Sequence, residues 1–410
     1  MEIIGLVVEY NPFHNGHLYQ IQEAKRRFPA AKILCVMSGN WVQRGEPALV
    51  DKWSRAEMAL KGGADLVLEL PTAFALQSAE KFAYGAVYSL VATGVVTHIC
   101  FGSELGEVAP LRQVARLLLE EPPAFKLCIK AYLDQGYSYP KCLALAVSEH
   151  LATPEISRIV RTPNNILGIE YLRTLMEADS SIIPFTIRRK GTSHHCEDVA
   201  GSIASATAIR QSIKAGATAT AYGALPKASI DIISREIQKG KAPIFRQHLG
   251  TSLLTLLRRS SLAYLYTLPD MEPGLPERFF RACRETTSLE AFLAAVATKR
   301  YTLPRLQRIL CYLYLSLGKK ELSAYNHGGV RYLRILGFSN SGRQVLRQMK
   351  EWATVPLIEK PARYFRQHTD DVGKRMLLLD IKGTDMHDLL CVEPAARKAG
   401  RDYVTSPIRI

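Results

Sequence analysis

His14 and His17 stand three residues apart in "VVEYNPFHNGHLYQI" (7–21), where an apolar run that reads as a buried strand gives way to a helical pattern. At that spacing two imidazoles share one side of the emerging helix, and Gly16 between them lets backbone and ligand approach closely. The carboxyl end of a strand, turning into a helix, is where α/β sheets bind ligands. The N–H groups of the new helix favour a phosphate there. Paired histidines over such a terminus could clamp a phosphate chain and donate to the charge that develops on a pentavalent phosphorus during phosphoryl or adenylyl transfer. The same spacing would also suit two histidines that only cap the helix and bond backbone groups.

The elements needed to position these residues follow a β-then-α rhythm. "EIIGLVVEY" (2–10), "KILCVMS" (32–38), "DLVLELP" (65–71) and "VTHICFG" (96–102) are short runs apolar on both faces, each followed by a helical pattern. Such runs belong in a parallel sheet covered by helices. "DKWSRAEMALKGGA" (51–64) is bracketed by Asp51 as N-cap and Gly62-Gly63 as stop, and "SAEKFAYGAVYSLVATG" (78–94) by Ser78 and Gly94. A further βα return is expected at "SIIPFTIRRK" (181–190) and "SIASATAIRQSIKAG" (202–216). Beyond residue 217 the pattern turns to helix-like segments with arginines on their polar faces, interrupted by strand-like runs such as "RMLLLDIKG" (375–383). The expectation is a Rossmann-like α/β catalytic domain over 1–217 and a basic, mainly α-helical region over 218–410.

Charge divides along the same line. Residues 1–217 carry 22 Lys+Arg against 21 Asp+Glu, whereas residues 218–410 carry 31 against 17, so nearly all of the net +15 lies in the second part. That asymmetry points to a polyanionic partner, because Lys and Arg that neutralise phosphates release counterions. A solvated basic surface would give the same count. No apolar run approaches the ~20 residues of a membrane span, and "MEIIGLVVEY" reads as a core strand rather than a leader. The eight cysteines are scattered without C-x-x-C or zinc-finger spacing, as in a reducing, cytoplasmic compartment.

Several further residues have types suited to a site. The stretch "SGNWVQRGEPALVDKWSR" (38–55) holds Gln43, Arg44, Glu46, Asp51, Lys52 and Arg55 between a strand end and a helix. There Arg44 or Lys52 is a candidate to meet substrate or phosphate, against a surface ion pair as the alternative. Gly102, directly after a strand, would let a nucleoside approach the sheet edge. Asn164 and Asn165 follow Pro163, so one can cap the next helix while the other reads the base or ribose. Arg188, Arg189 and Lys190 end a strand, and alternation lets only one of the two arginines point into a site. His194, His195, Cys196, Glu197 and Asp198 are adjacent in one loop with no distant partner at ligand spacing, so no metal site is expected. Mg²⁺ would arrive with a nucleotide substrate, held by phosphates and water.

Pro-x-His-x-Gly-His resembles the H-x-G-H signature of the nucleotidyltransferase superfamily, and "IASATAIR" (203–210) resembles its second element, I-S-x-T-x-x-R, with Ser205, Thr207 and Arg210 at the polar positions. "GLVVEYNPFHNGH", "MSGNWVQRGEPALVDKWSRAEMAL", "GADLVLELP", "FGSE", "PNNILGIEYL" and "IASATAIR", in that order, resemble the bacterial tRNA(Met) cytidine acetate ligase family; the second half resembles it mainly through "LRILGF". The one departure is "GTSHHCED", with His194-His195 where the family pattern has an aromatic–His pair.

The resemblance implies an enzyme that joins acetate to ATP as acetyl-adenylate and acetylates N4 of the wobble cytidine of elongator methionine tRNA. It implies His14 and His17 as catalytic. ATP would lie along Val7, Val8, Glu9, Tyr10, Asn11, Pro12, Phe13, His14, Asn15, Gly16, His17, Leu18, Tyr19 and Gln20, and against Gly102, Asn164, Asn165, Arg188, Arg189, Ser205, Thr207 and Arg210. Arg189, rather than Arg188, is the expected inward arginine on this ground. Arg331, Arg334, Arg343 and Arg347 are the expected tRNA contacts. Two other functions remain open: a small-molecule adenylyltransferase making a dinucleotide-type cofactor, and a non-catalytic RNA-binding protein that retains an ATP-binding fold.

Overall fold

Strands apolar on both faces need cover on both faces, and they obtain it here in the middle of a helix-covered sheet. The computed structural model describes residues 1–137, 139–151, 159–160, 162–189 and 203–410. Its strands are β1 (Ile3–Val8), β2 (Lys32–Ser38), β3 (Trp41–Val42), β4 (Glu46–Pro47), β5 (Leu66–Leu70), β6 (His98–Ser103), β7 (Ile183–Arg188), β8 (Leu333–Phe338), β9 (Leu357–Ile358) and β10 (Ile408–Arg409). An eight-stranded sheet runs β10-β8-β5-β2-β1-β6-β7, with β9 also paired to β8, while β3 and β4 form a separate ribbon. From β5 to β7 the strands are parallel. β8 then joins the free edge of β5 antiparallel, bringing β9 and β10 with it.

Alternation along β2 shows how the two cores arise. Leu34 and Val36 face one apolar cluster, with Leu90, Phe101 and Tyr171. Ile33, Cys35 and Met37 face the other, with Ile21, Trp53 and Phe185. The chain leaves β1 toward β2 on one side and later crosses to β6 on the other, so the strand order reverses between β1 and β6. That reversal opens a crevice at the carboxyl ends of the strands. Asp51 caps the helix Lys52–Lys61 by accepting from the Ser54 N–H, with Gly62 at its end. Ser205 caps the helix Ala206–Lys214 in the same way, through the Ala208 N–H.

Three expectations are corrected. "RMLLLDIKG" lies inside the helix Asp371–Asp388; a short apolar run does not distinguish a strand from a buried helix segment, and Met, Leu, Lys and Arg are good helix formers. Arg334, expected at tRNA, sits on β8 opposite Glu69 of β5 and is 1% exposed. Its guanidinium lies between Glu69 (3.4 Å) and Asp402 (2.5 Å), the carboxylates that also hold buried Lys52 at 2.8 Å each. Lys52 is therefore unavailable to a substrate phosphate.

Candidate active site

The crevice is a cavity of about 520 Å³ lined by Val7, Val8, Glu9, Tyr10, Asn11, His14, His17 and Gln20 from the first βα turn. A smaller space of about 150 Å³ adjoins it, lined by Gly16, Tyr19, Arg188, Ile203 and Ala204, and shares His14, His17, Gly102, Arg189 and Ser205 with the larger one. Pro12, Phe13, Asn15 and Leu18 line neither. Phe13 is fully buried behind His17, their ring centroids 5.8 Å apart. Asn15 is buried and its amide nitrogen donates to the Gly223 carbonyl at 3.4 Å.

The two histidines form a reciprocal cap at the start of the helix Asn15–Arg27. The His14 backbone N–H donates to Nδ1 of His17 at 3.2 Å, and the Gly16 N–H donates to Nδ1 of His14 at 3.0 Å. A Cβ on Gly16 would come within 2.9 Å of the His14 ring, so glycine is needed for that ring position. The rings stack with centroids 3.6 Å apart. Burial, aided by the Arg189 charge, pushes His14 down to about 3; burial, then His14 and Arg189, lowers His17 well below the usual imidazole range. Both rings are thus neutral at pH 7. Since each Nδ1 accepts a backbone N–H, the proton of each ring is assigned to Nε2, giving two neutral donors at the cavity.

Around them the polar groups are held by one another. Arg210 donates to the Asn11 carbonyl at 2.8 Å and pairs with Glu46 at 2.6 Å. Ser205 and Thr207 line the cavity beside it. Glu9 accepts the Gln43 backbone N–H at 2.7 Å, and burial raises its pKa, with the Glu46 charge adding to the rise and the Gln43 bond opposing it. Arg55 is fully buried and donates to the carbonyls of Glu9 (2.6 Å) and Ser38 (3.1 Å), joining the ends of β1 and β2. Asp51 pairs with Arg401 at 2.7 Å. Of the charged residues in the 38–55 stretch, only Arg44 and Glu46 line the cavity.

Arg189 lines both spaces and donates to the Asn164 side-chain oxygen at 3.3 Å. A Cβ on Gly102 would lie 3.3 Å from the Arg189 side chain, so this glycine leaves room for the arginine. Asn164 lines the larger cavity, but Asn165 lies behind it, buried, with its oxygen accepting from Ser103 at 2.7 Å. Neither asparagine is the N-cap of the helix Pro163–Glu177, a position held by Thr162. Instead the Glu104 carboxylate accepts the backbone N–H groups of Asn164 (3.3 Å) and Asn165 (2.9 Å). Phe82, Phe101, Leu167 and Tyr171 complete an apolar wall that sequence reasoning did not assign to the site. In the sequence they read only as core positions of helices and a strand. Lys190 and residues 194–198 lie outside the described residues, among which no group of three or more His, Cys, Asp or Glu is arranged to hold a metal ion.

Residues 1–402 match the family described as HIGH Nucleotidyl Transferase. A curated protein of Acetivibrio thermocellus, "tRNA(Met) cytidine acetate ligase", is 40% identical over 415 residues, with 100% of both chains covered. One of the same name from Alkaliphilus metalliredigens is 38% identical, covering 99% of this chain and 98% of the relative. The crystal structure of Thermotoga maritima TmcAL bound with alpha-thio ATP superposes over 100% of both chains with a TM-score of 0.95 at 35% identity.

Proposed function

The chain belongs to the tRNA(Met) cytidine acetate ligase family of HIGH nucleotidyl transferases, and from that premise we propose how its own residues carry the reaction. It is a ligase that uses ATP to acetylate a tRNA cytidine. In our reading the substrate is free acetate, whose carboxylate attacks the α-phosphorus of ATP. The new bond is carboxylate oxygen to phosphorus, the bond to the bridging oxygen breaks, and pyrophosphate leaves. The observation that carries this reading is the stacked neutral pair His14 and His17, two Nε2–H donors fixed at a helix N-terminus in the cavity wall. Such preorganised donors stabilise charge growing on the phosphoryl oxygens.

Ser205, Thr207 and Arg210 would hold the β- and γ-phosphates, and Gly102, Asn164 and Arg189 the nucleoside side, a division that the resemblance suggests among residues lining one cavity. Mg²⁺ would enter as the counterion of the triphosphate, coordinated by phosphate and water. The N4 amine of the wobble cytidine in elongator methionine tRNA then attacks the acyl carbon. The carbon–nitrogen bond forms and AMP leaves, and of the two carboxylates that line the cavity Glu9, the one not paired with Arg210, would take the amine proton. A weakly nucleophilic amine needs this activated acyl group, after which positioning does most of the work. The exposed Arg343 and Arg347, with the half-buried Arg331, are the proposed contacts to the tRNA backbone. The reading places the enzyme in the cytoplasm, and no described helix is long and apolar enough to cross a membrane.

The test is mass analysis of the nucleosides of methionine tRNA after incubation with the protein, ATP and acetate. Acetylated cytidine that appears only when all three are present is the expected result. Unmodified tRNA, with pyrophosphate release driven by a mononucleotide acceptor instead, would point to the dinucleotide-forming reading.

A further inference from the structure

We propose that Arg44, Arg246 and Arg308 form a phosphodiester-binding rim at the mouth of the ATP cavity, which grips the RNA strand beside the acceptor cytidine. The proposal rests on the acetylation reading above and adds to it the place where the strand crosses the protein.

The three arginines come from three separate segments that are joined at one buried glutamine. With its amide oriented to satisfy both neighbours, Gln307 donates to the Arg44 carbonyl at 3.0 Å and accepts from the Arg246 guanidinium. Arg308 follows it on the helix Leu303–Tyr314. Gly45, in the left-handed region at φ +74°, packs so closely on that helix that a Cβ would come within 2.3 Å of the Arg308 nitrogen. The segment carrying Arg44 is thereby pinned to the helix carrying Arg308, and Arg44 itself lines the cavity with Gln43 and Glu46.

These three cations have no carboxylate partner within ion-pair distance among the described residues, whereas the nearby Glu46 is already taken by Arg210 at 2.6 Å. Nε of Arg246 and Nε of Arg308 are enclosed and donate to nothing, and Arg308 lies against the Tyr312 hydroxyl, a neutral group. Gathering like charges costs free energy, as does leaving enclosed donors unmade. An anion at the rim offsets the first cost, and the planar fork of Arg suits phosphate. The acceptor supplies such an anion, because a base that reaches the reacting centre must leave its stack and draw its backbone across the mouth of the cavity.

Arg246→Glu and Arg308→Glu are the test, each assayed in two reactions with the full chain. Acetate-dependent exchange of labelled pyrophosphate into ATP, without RNA, reads adenylation alone and should stay within about twofold of wild type. KM for tRNA in acetylcytidine formation should rise roughly tenfold or more, and the slope of log KM against log salt should flatten by about 0.7–0.9 per arginine. An unchanged KM for tRNA in variants that still exchange pyrophosphate overturns the rim. A raised KM for ATP in the exchange assay would overturn it as well, by assigning the arginines to the triphosphate. Failure of wild type to exchange pyrophosphate with acetate would instead count against the acetylation reading itself.

Discussion

His14 and His17 fix each other: the backbone N–H of His14 donates to Nδ1 of His17 at 3.2 Å, and the two rings stack with centroids 3.6 Å apart. The capping interpretation of this pair and the catalytic one are therefore the same arrangement. Using Nδ1 for the cap sets the tautomer that puts the proton of each ring on Nε2.

Removing either ring removes one preorganised donor. His17→Ala should slow acetyl-adenylate formation by about 10²–10³, measured in single turnover with saturating ATP. His14→Ala should do the same, with additional loss of helix capping worth ~1 kcal/mol. A folded His17→Ala protein with a wild-type rate would take the histidine out of the mechanism.

Lys52 and Arg334 belong to stability rather than to ligand binding. Lys52→Ala leaves Glu69 and Asp402 facing each other in the interior with one cation fewer, which should cost about 3–5 kcal/mol in chemical denaturation. ATP affinity per folded molecule should hardly change. A fall in affinity without a fall in stability would return Lys52 to the site.

His387 is enclosed and donates to the Ala48 carbonyl at 2.9 Å; burial, only partly opposed by that bond, pushes it down to about 4. Its folded pKa lies below the ordinary 6.5, so the unfolded chain takes up the proton first. Stability should be indifferent to this group above about pH 6.5 and fall as the pH drops from there toward 4, by at most ~3 kcal/mol. His387→Gln should make the acid limb of a stability-against-pH curve less steep. Parallel limbs for the two proteins would contradict the assignment.

Arg343 and Arg347 are exposed on the helix Gly342–Trp352 and form no ion pair among the described residues. Reversing either charge should weaken tRNA binding and reduce its salt slope by roughly one, while acetate activation without RNA stays intact. Equal tRNA affinity in a filter-binding titration would remove this helix from the interface.

Much of this was legible in the chain because local rules carried it. Two-sided apolar runs gave the parallel strands, Asp51 and Ser205 marked helix starts, and the first βα turn lies where the strand order reverses. What stayed hidden depends on partners distant in sequence. Arg334 reads as one more surface arginine until β8 is seen pairing with β5, 265 positions earlier at Glu69↔Arg334. Asn165 reads as a cap until Ser103 and Glu104 claim it. Phe82 and Tyr171 carry the pattern of core residues, and nothing local says that one side of that core is open.

The most direct test of the central claim, that this site makes an acyl-adenylate, is isotopic. With acetate labelled with ¹⁸O in its carboxylate, ATP and tRNA, the expected product is AMP that gains one labelled oxygen, with pyrophosphate released in equal amount. Unlabelled AMP, or ADP and phosphate as the stoichiometric products, would contradict it.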